Sequence, residues 1–170
     1  MELLAVYDRA GRQTGLRPRA EVHRSGLWHK SAHVYVFDAA GRLLLQQRSA
    51  QKDLYAGRWD YSVGEHLQPE EDALVAARRG LAEELGITAR PMLTPLGPPR
   101  WVEFVGHGYC DREIQQGFQM TYTGVLHHDA GEVAQLRYID ACELQAWIAA
   151  EPEVFTPWLL ADLPSLSFLP

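Results

Sequence analysis

Two adjacent carboxylates, Glu83 and Glu84, offer hard oxygen donors near the end of a segment with strong helix signals. Pro69 followed by acidic residues favours a helix start, and Gly86 provides a left-handed C-cap, so the pattern predicts a helix over residues 70–85. On a helical wheel the two carboxylates share a face with alanine and glycine residues. A solvated acidic face is the alternative interpretation, but the small neighbours favour a site with room for a hydrated divalent cation and a phosphate chain.

Residues on both sides of Glu83 and Glu84 belong to a longer motif. Seven residues separate Glu71 from Arg79, and the further matching positions are Leu81, Glu83, Glu84, Gly86 and Ile87. This series resembles the Nudix box, a loop-helix-loop motif that holds the metal in Nudix hydrolases. Two positions depart from the motif: Gly80 stands where the motif has a glutamate, and six residues separate Gly64 from Glu71, one more than the motif has.

The resemblance implies both a fold and a metal site. The implied fold is an α/β/α sandwich with a central mixed β-sheet, formed by a single domain over residues 1–170. The implied site binds Mg²⁺, or else Mn²⁺, through the Gly64 carbonyl and the carboxylates of Glu83 and Glu84. Arg79, Glu83 and Glu84 are then expected to take part in catalysis.

Residues upstream of the box narrow the resemblance to one branch of the superfamily. The box is preceded by Gln47-Arg-Ser, Lys52-Asp, Gly57 and Trp59-Asp. This series is similar to that of the isopentenyl-diphosphate-isomerase-like branch, whose isomerases bind a metal through histidines together with acidic residues. The histidines similar in placement are His23, His29 and His66, whereas His33 is interpreted as a strand residue. A structural role is the alternative for each of them, and His66 is the histidine predicted to bind the metal.

A further carboxylate belongs to the predicted strand that begins Asp111-Arg-Glu113. The resemblance implies that this segment brings a carboxylate over the box, and a charge placed at a strand edge is the alternative. Because Gly80 stands at the position of the box glutamate, that carboxylate is missing. Glu113 is therefore the first candidate for the general base or for an additional metal ligand. Glu65 is the second candidate.

Three functional hypotheses follow from the resemblance. The first is a metal-dependent hydrolase that cleaves a phosphoanhydride bond in a nucleoside diphosphate linked to another group, above all in nucleoside 5'-di- or triphosphates. The alternatives are isopentenyl-diphosphate isomerisation and a nucleotide-binding module without catalysis. The isomerases use a cysteine just before the box together with the later glutamate, and that cysteine position falls on Gly64, which can neither give nor take a proton. The sequence therefore predicts a hydrolase and not an isomerase.

Composition narrows the setting in which the protein works. The 170 residues are 46% hydrophobic, which is enough for one compact core, and the formal net charge of −6 argues against binding to duplex nucleic acid. The first residues lack a basic region, and no apolar run reaches membrane-spanning length. The expectation is a cytoplasmic protein with a small-molecule nucleotide substrate and no membrane partner, and the oligomeric state is left open.

Overall fold

A computed structural model describes residues 2–106 and 108–166 of the protein. Met1, His107 and residues 167–170, which the single-domain prediction includes, lie outside those ranges. The strands of the described ranges are β1 (Leu3–Tyr7), β2 (Gln13–Pro18), β3 (Trp28–Phe37), β4 (Leu43–Arg48), β5 (Trp59–Asp60), β6 (Val63–His66), β7 (Thr94–Pro95), β8 (Arg100–Gly106), β9 (Tyr109–Thr121) and β10 (Val133–Ile139). The helices are α1 (Arg19–Ser25), α2 (Ala73–Leu85), α3 (Ala141–Ala150) and α4 (Pro157–Asp162), with short 3₁₀ turns at Pro152–Val154 and Leu163–Ser165. None of the helices in the described ranges has the length and apolar character needed to cross a membrane.

The strand β3 is the centre of the sheet. It pairs in parallel with β9, from Trp28 opposite Arg112 to Phe37 opposite Thr121, and it pairs antiparallel with β1, β4 and β6. The sheet continues from β4 to β5 and β10, from β1 to β2, and from β9 to β7 and β8. Because most residues of β3 are buried, this strand is covered on both of its faces. The predicted central mixed sheet is confirmed.

Helices cover the two faces of this sheet. Val34 and Val36 of β3 belong to a core cluster that contains the apolar side chains of α2, including Leu81. Tyr35 lies between them in sequence, and it belongs to a second cluster, which contains Leu144 of α3 and residues of α4. Successive side chains of a strand point to opposite faces, so the two clusters lie on opposite sides of the sheet. The α/β/α sandwich expected from the resemblance is therefore confirmed.

The helix α2 begins at Ala73 and not at residue 70 as predicted. Its N-cap is Asp72, whose side chain accepts a hydrogen bond from the backbone N–H of Val75 at 2.9 Å. Glu70 has a φ angle of 68°, in the left-handed region, so a turn and not a helix follows Pro69. The end of the helix is as predicted, because Gly86 forms a left-handed C-cap with a φ angle of 68°.

The small side chains of α2 face the protein core, which corrects their interpretation as room for a hydrated cation. Ala76 and Ala77 are fully buried, and Gly80 is buried as well. A Cβ atom at Gly80 would lie 2.7 Å from Cγ1 of Val63 in β6. These residues are small because the helix packs closely against the sheet. The sequence correctly placed them on one face of the helix, but the reason it gave for their small size was wrong.

This packing makes the effect of Gly80→Ala on stability predictable. In an exposed helix the change stabilises by about 1 kcal/mol, whereas forcing a methyl group into a packed core costs about 1–3 kcal/mol. Val63 has 0% exposure and is packed in the core, so making room for the methyl group costs more than the helix propensity gains. We expect Gly80→Ala to lower the free energy of unfolding by about 1 kcal/mol, as measured by urea denaturation.

The matched control is the same change in a Val63→Ala background, where the blocking methyl group is absent. There the nearest remaining neighbour of a Cβ atom at position 80 is Cβ of Glu65 at 3.3 Å, so Gly80→Ala is expected to cost less stability than in the parent background. A single Gly80→Ala variant that is at least as stable as the parent contradicts the close packing of α2 on β6.

Candidate active site

A cavity of about 570 Å³ lies where α1, β3, β6, α2 and β9 come together. Its walls contain all the site residues predicted from the sequence, namely Gly64, His66, Arg79, Glu83, Glu84 and Glu113. Glu65, the second candidate for the base, lines the cavity as well. The fold therefore brings the box residues and the strand carboxylate to one place.

Three histidines and two carboxylates form a compact cluster at this cavity. The parallel pairing of β3 with β9 sets His29 beside Glu113, β6 contributes His66, and α1 contributes His23. The ligand-type atoms of His23, His29 and His66 lie within 4.8 Å of one another, and so do those of His29, Asp111 and Glu113. Because His29 belongs to both groups, the five residues form one continuous set, which we call the histidine–carboxylate cluster.

Two histidines of the cluster are neutral. Burial, together with the neighbouring His66 and His29, lowers the pKa of His23 to about 3. Burial and the neighbouring His66 lower the pKa of His29 to about 4. An imidazole must be neutral to bind a metal, so both side chains are in the form that a ligand requires.

The other members of the cluster are strongly coupled to one another. Burial opposes protonation of His66, but its contacts with Glu113 and Glu2 raise its pKa to about 9. Burial would raise the pKa of Glu113, yet hydrogen bonds with His33 and His66 hold it well below the usual range. Burial and the charge of Glu113 raise the pKa of Asp111 to about 7. Glu113 is therefore the firmly ionised carboxylate of the cluster.

The cluster contains buried polar atoms that have no hydrogen-bond partner within the described ranges. They are Nε2 of His23, Nε2 of His29 and Oδ1 of Asp111. The two nitrogens lie 3.9 Å and 3.5 Å, respectively, from the Asp111 oxygen. Buried polar atoms are rarely left unsatisfied, and imidazole nitrogen and carboxylate oxygen are both ordinary metal ligands. The donor set therefore fits a divalent metal ion.

The two carboxylates of the box differ in their surroundings. The side chain of Glu83 is 60% exposed, whereas Glu84 is buried and accepts a hydrogen bond from Nε2 of Gln46 at 2.9 Å. Burial raises the pKa of Glu84 to about 8, although Lys52 and Gln46 oppose the shift. Both carboxylates line the cavity, and their metal-binding role stays a prediction.

Arg79 connects α2 to β6 and to the loop before the helix. Its guanidinium donates to both carboxylate oxygens of Glu71, at 2.9 and 3.1 Å, and to the backbone carbonyl of His66 at 2.9 Å. It also lies 3.0 Å from Glu65. These contacts hold the box in place, and a catalytic role for Arg79 stays a prediction.

Gly64 lies in β6 opposite His33, against the phenol of Tyr61. A Cβ atom at Gly64 would lie 2.7 Å from a ring carbon of Tyr61 and 2.9 Å from its hydroxyl oxygen. Tyr61 is buried and lines the cavity. The space that a side chain at position 64 would need is therefore filled by a tyrosine hydroxyl group.

Sequence reasoning missed the part that His33 plays beside the site. Its Nδ1 lies 3.0 Å from Oδ2 of Asp162, and its Nε2 lies 2.9 Å from the Tyr61 hydroxyl. Burial would lower the pKa of His33, but hydrogen bonds with Asp162 and Glu113 raise it to about 10. The sequence did contain a signal for this role of His33. His29 and His33 are four residues apart in one strand, so their side chains point to the same face.

The layered fold and the histidine–carboxylate cluster can now be compared with those of known protein families. Residues 27–159 match the NUDIX domain family, and the chain therefore belongs to the Nudix family. DR0079 from Deinococcus radiodurans has the same fold, with a TM-score of 0.71 at 20% identity over 88% of this chain and 90% of that chain. The MutT protein from Methanosarcina mazei gives a TM-score of 0.58 at 20% identity over 84% of this chain and 85% of that chain.

Named relatives with higher identity specify the branch. The isopentenyl-diphosphate Delta-isomerase of Nocardia farcinica is 40% identical over 91% of this chain and 88% of its own length. The enzyme of the same name from Burkholderia multivorans is 34% identical over 92% of this chain and 88% of its own length. The resemblance to this branch is thus confirmed, and the chain is a Nudix enzyme.

These relatives contradict the predicted hydrolysis of nucleoside diphosphate derivatives. The prediction was wrong, and the names of these relatives favour the isomerisation that the sequence argument had rejected. That argument considered the missing side chain at Gly64 alone and took no account of groups that the fold brings beside it, such as the Tyr61 hydroxyl.

The cluster predicts that Glu113→Gln impairs metal binding. The change keeps the shape of the side chain but removes the charge that lies 3.6 Å from His66 and 3.9 Å from His29. We expect Mn²⁺ affinity, measured by calorimetry, to fall by at least about tenfold.

The matched control is Glu103→Gln, because Glu103 lies on the neighbouring strand β8 and pairs with Arg112 outside the cluster. That variant is expected to bind Mn²⁺ as the parent does. Equal Mn²⁺ affinity in all three proteins would remove Glu113 from the metal site.

Proposed function

We propose that the protein is a metal-dependent isomerase that moves the carbon–carbon double bond of isopentenyl diphosphate. The observation that carries the proposal is the histidine–carboxylate cluster, in which Glu113 is a buried, ionised carboxylate beside three histidines. The names of relatives that share up to 40% identity with the chain support the same activity.

The ligands we propose for the metal ion are His23, His29, His66, Asp111 and Glu113. The contacts of His66 with Glu113 and Glu2 raise its pKa to about 9, so this imidazole would release its proton when the metal binds. The mixture of imidazole and carboxylate suits Mn²⁺, whereas the box carboxylates Glu83 and Glu84 suit Mg²⁺ together with a diphosphate. A divalent ion at these sites would supply positive charge that holds the diphosphate and orients the carboxylates. The neutral states of His23 and His29 support this assignment.

Basic side chains of the cavity are suited to the diphosphate end of the substrate. Arg19 of α1, Arg48 of β4 and Lys52 of the loop after β4 line the cavity. Arg48 lies 3.5 Å from Asp60, and Lys52 contacts Glu132, so both cations are held in place. A diphosphate carries several negative charges, and it would find both cationic side chains and metal-binding carboxylates here.

Apolar side chains of the same cavity are suited to the hydrocarbon end. Leu54, Tyr61 and Trp158 line the cavity. The indole N–H of Trp158 donates to Oδ2 of Asp111 at 2.9 Å, which fixes the ring beside the cluster. An aromatic face also attracts the positive charge that develops when an alkene takes up a proton.

Moving a double bond needs one group that gives a proton to the terminal carbon and another that removes a proton from the carbon on the far side. Glu113 is suited to the second role because it lines the cavity and is ionised, so it can accept a proton there. Its Oε2 accepts a hydrogen bond from Nε2 of Gln115 at 3.0 Å, which fixes its orientation.

The direct test is incubation of the protein with isopentenyl diphosphate and Mg²⁺ or Mn²⁺, with the dimethylallyl isomer measured by NMR. We expect conversion that stops on chelation of the metal and that falls by about 10²-fold or more in Glu113→Gln. Glu103→Gln is expected to retain the activity of the parent. A folded, metal-loaded protein that makes no dimethylallyl isomer overturns the proposal.

A further inference from the structure

The hydroxyl group of Tyr61 lies in the cavity wall at a distance that suits proton transfer to a neighbouring group. Its oxygen is 2.9 Å from Nε2 of His33, and the two rings are stacked with centroids 4.2 Å apart. Tyr61 is 4% exposed, so its hydroxyl is shielded from bulk water although it lines the cavity. The phenol is thus held in one orientation by both a hydrogen bond and a ring contact.

His33 is itself fixed from the opposite side by Asp162. Nδ1 of His33 lies 3.0 Å from Oδ2 of Asp162, and Asp162 also accepts hydrogen bonds from the Tyr35 hydroxyl and from Arg100. His33 and Asp162 are buried. With Nδ1 held by a carboxylate, the Nε2 atom is directed at the Tyr61 hydroxyl.

The same nitrogen also faces Glu113. Nε2 of His33 lies 3.4 Å from Oε2 of Glu113, whereas Oε1 of Glu113 faces His29 and His66 in the cluster. Glu113 therefore uses one oxygen toward the cluster and the other toward His33. The Tyr61 hydroxyl and Oε2 of Glu113 thus both face Nε2 of His33, and Nε2 of Gln115 lies 3.2 Å from the same nitrogen.

No side chain at position 64 separates the Tyr61 hydroxyl from β6, since Gly64 has none. A Cβ atom there would lie 2.9 Å from the hydroxyl oxygen. The hydroxyl therefore occupies the point of the wall from which a side chain at position 64 would otherwise act.

We infer that Tyr61 is the proton donor of the isomerisation and acts together with Glu113 as proton acceptor. The inference rests on the proposed function. The Tyr61 O–H bond breaks as the electron pair of the original double bond forms a C–H bond at the terminal alkene carbon. A C–H bond on the far side of the central carbon breaks as Glu113 takes that proton. The electron pair of the broken C–H bond forms the new double bond, and substrate and product have the same atoms.

After this step Tyr61 lacks a proton and Glu113 carries one. His33 lies within reach of both groups, so it can give a proton to Tyr61 through Nε2 and take one from Glu113. The site returns to its starting state without any further reactant. In this scheme Tyr61 is a catalytic residue, and His33 and Asp162 are positioning residues.

The first test compares Tyr61→Phe with Tyr122→Phe, a matched loss of one hydroxyl group on a tyrosine that packs against the α2 side of the sheet. For Tyr61→Phe we expect kcat on isopentenyl diphosphate to fall by about 10²-fold. KM and the Kd for Mn²⁺ are expected to stay within about threefold of the parent values. Tyr122→Phe is expected to keep the kcat of the parent. Equal kcat in the two variants overturns the role of Tyr61.

The second test addresses contact with the ligand and does not depend on turnover. Tyrosine is isotopically labelled at the ring carbon that bears the hydroxyl, and the Tyr61 resonance is assigned by its loss in Tyr61→Phe. Addition of isopentenyl diphosphate with Mg²⁺ is expected to shift this resonance, whereas inorganic pyrophosphate with Mg²⁺ is expected to shift it less because pyrophosphate has no hydrocarbon. The same resonance is expected to move in His33→Gln, since the hydrogen bond to Nε2 is lost.

The outcomes separate the two proposals. A parent protein that makes no dimethylallyl isomer refutes the proposed function, and the labelled resonance then still decides whether Tyr61 faces the ligand. An unshifted Tyr61 resonance with isopentenyl diphosphate refutes the inference, whatever the activity of the parent. A shifted resonance together with the loss of kcat in Tyr61→Phe supports both.

Discussion

The parallel pairing of β3 with β9 is the constraint on which the site depends. The register of this pairing sets His29 beside Glu113 and Ser31 beside Gln115. The strand β6 also pairs with β3, and it sets His66 opposite Ser31. Alternate residues of each strand point to the same face, so a slip by one residue would turn these side chains to the other side of the sheet. The histidine–carboxylate cluster is therefore a product of sheet register more than of any local motif.

Glu113 links the two halves of the site that this register creates. Its Oε1 lies 3.6 Å from His66, and its Oε2 lies 3.4 Å from His33. A buried carboxylate without partners is destabilising by several kcal/mol, and here raised pKa values at both histidines provide the compensating charge. Because one carboxylate serves both sides, a change in the cluster is transmitted directly to His33.

Residues close together in sequence predicted the cap at Gly86, whereas the mixed sheet and the approach of Glu113 to the box were expected from the family resemblance. The contact of His33 with Asp162 spans 129 residues, and no local pattern encodes it. Helical periodicity placed the small residues of α2 on one face but could not tell an open site from a tightly packed core. The functional error at Gly64 has a different origin, because Tyr61 lies only three residues away in sequence and the prediction did not consider its hydroxyl group.

Gly64 and Gly80 are parts of one packing arrangement. Gly64 stands at the cysteine position of the isomerases, and Gly80 stands at the position of the box glutamate. Val63 and Gly64 are consecutive in β6, so their side-chain positions face opposite sides of the sheet. On one side Gly80 lets α2 approach Val63, and on the other Gly64 makes room for Tyr61. A glutamate at position 80 would have to enter the space that Val63 occupies, so its absence reflects the close contact of α2 with β6. That contact holds Glu84 at the cavity, and the space at Gly64 holds the Tyr61 hydroxyl beside His33. The absence of these two side chains therefore shapes the site and does not by itself indicate a loss of catalysis.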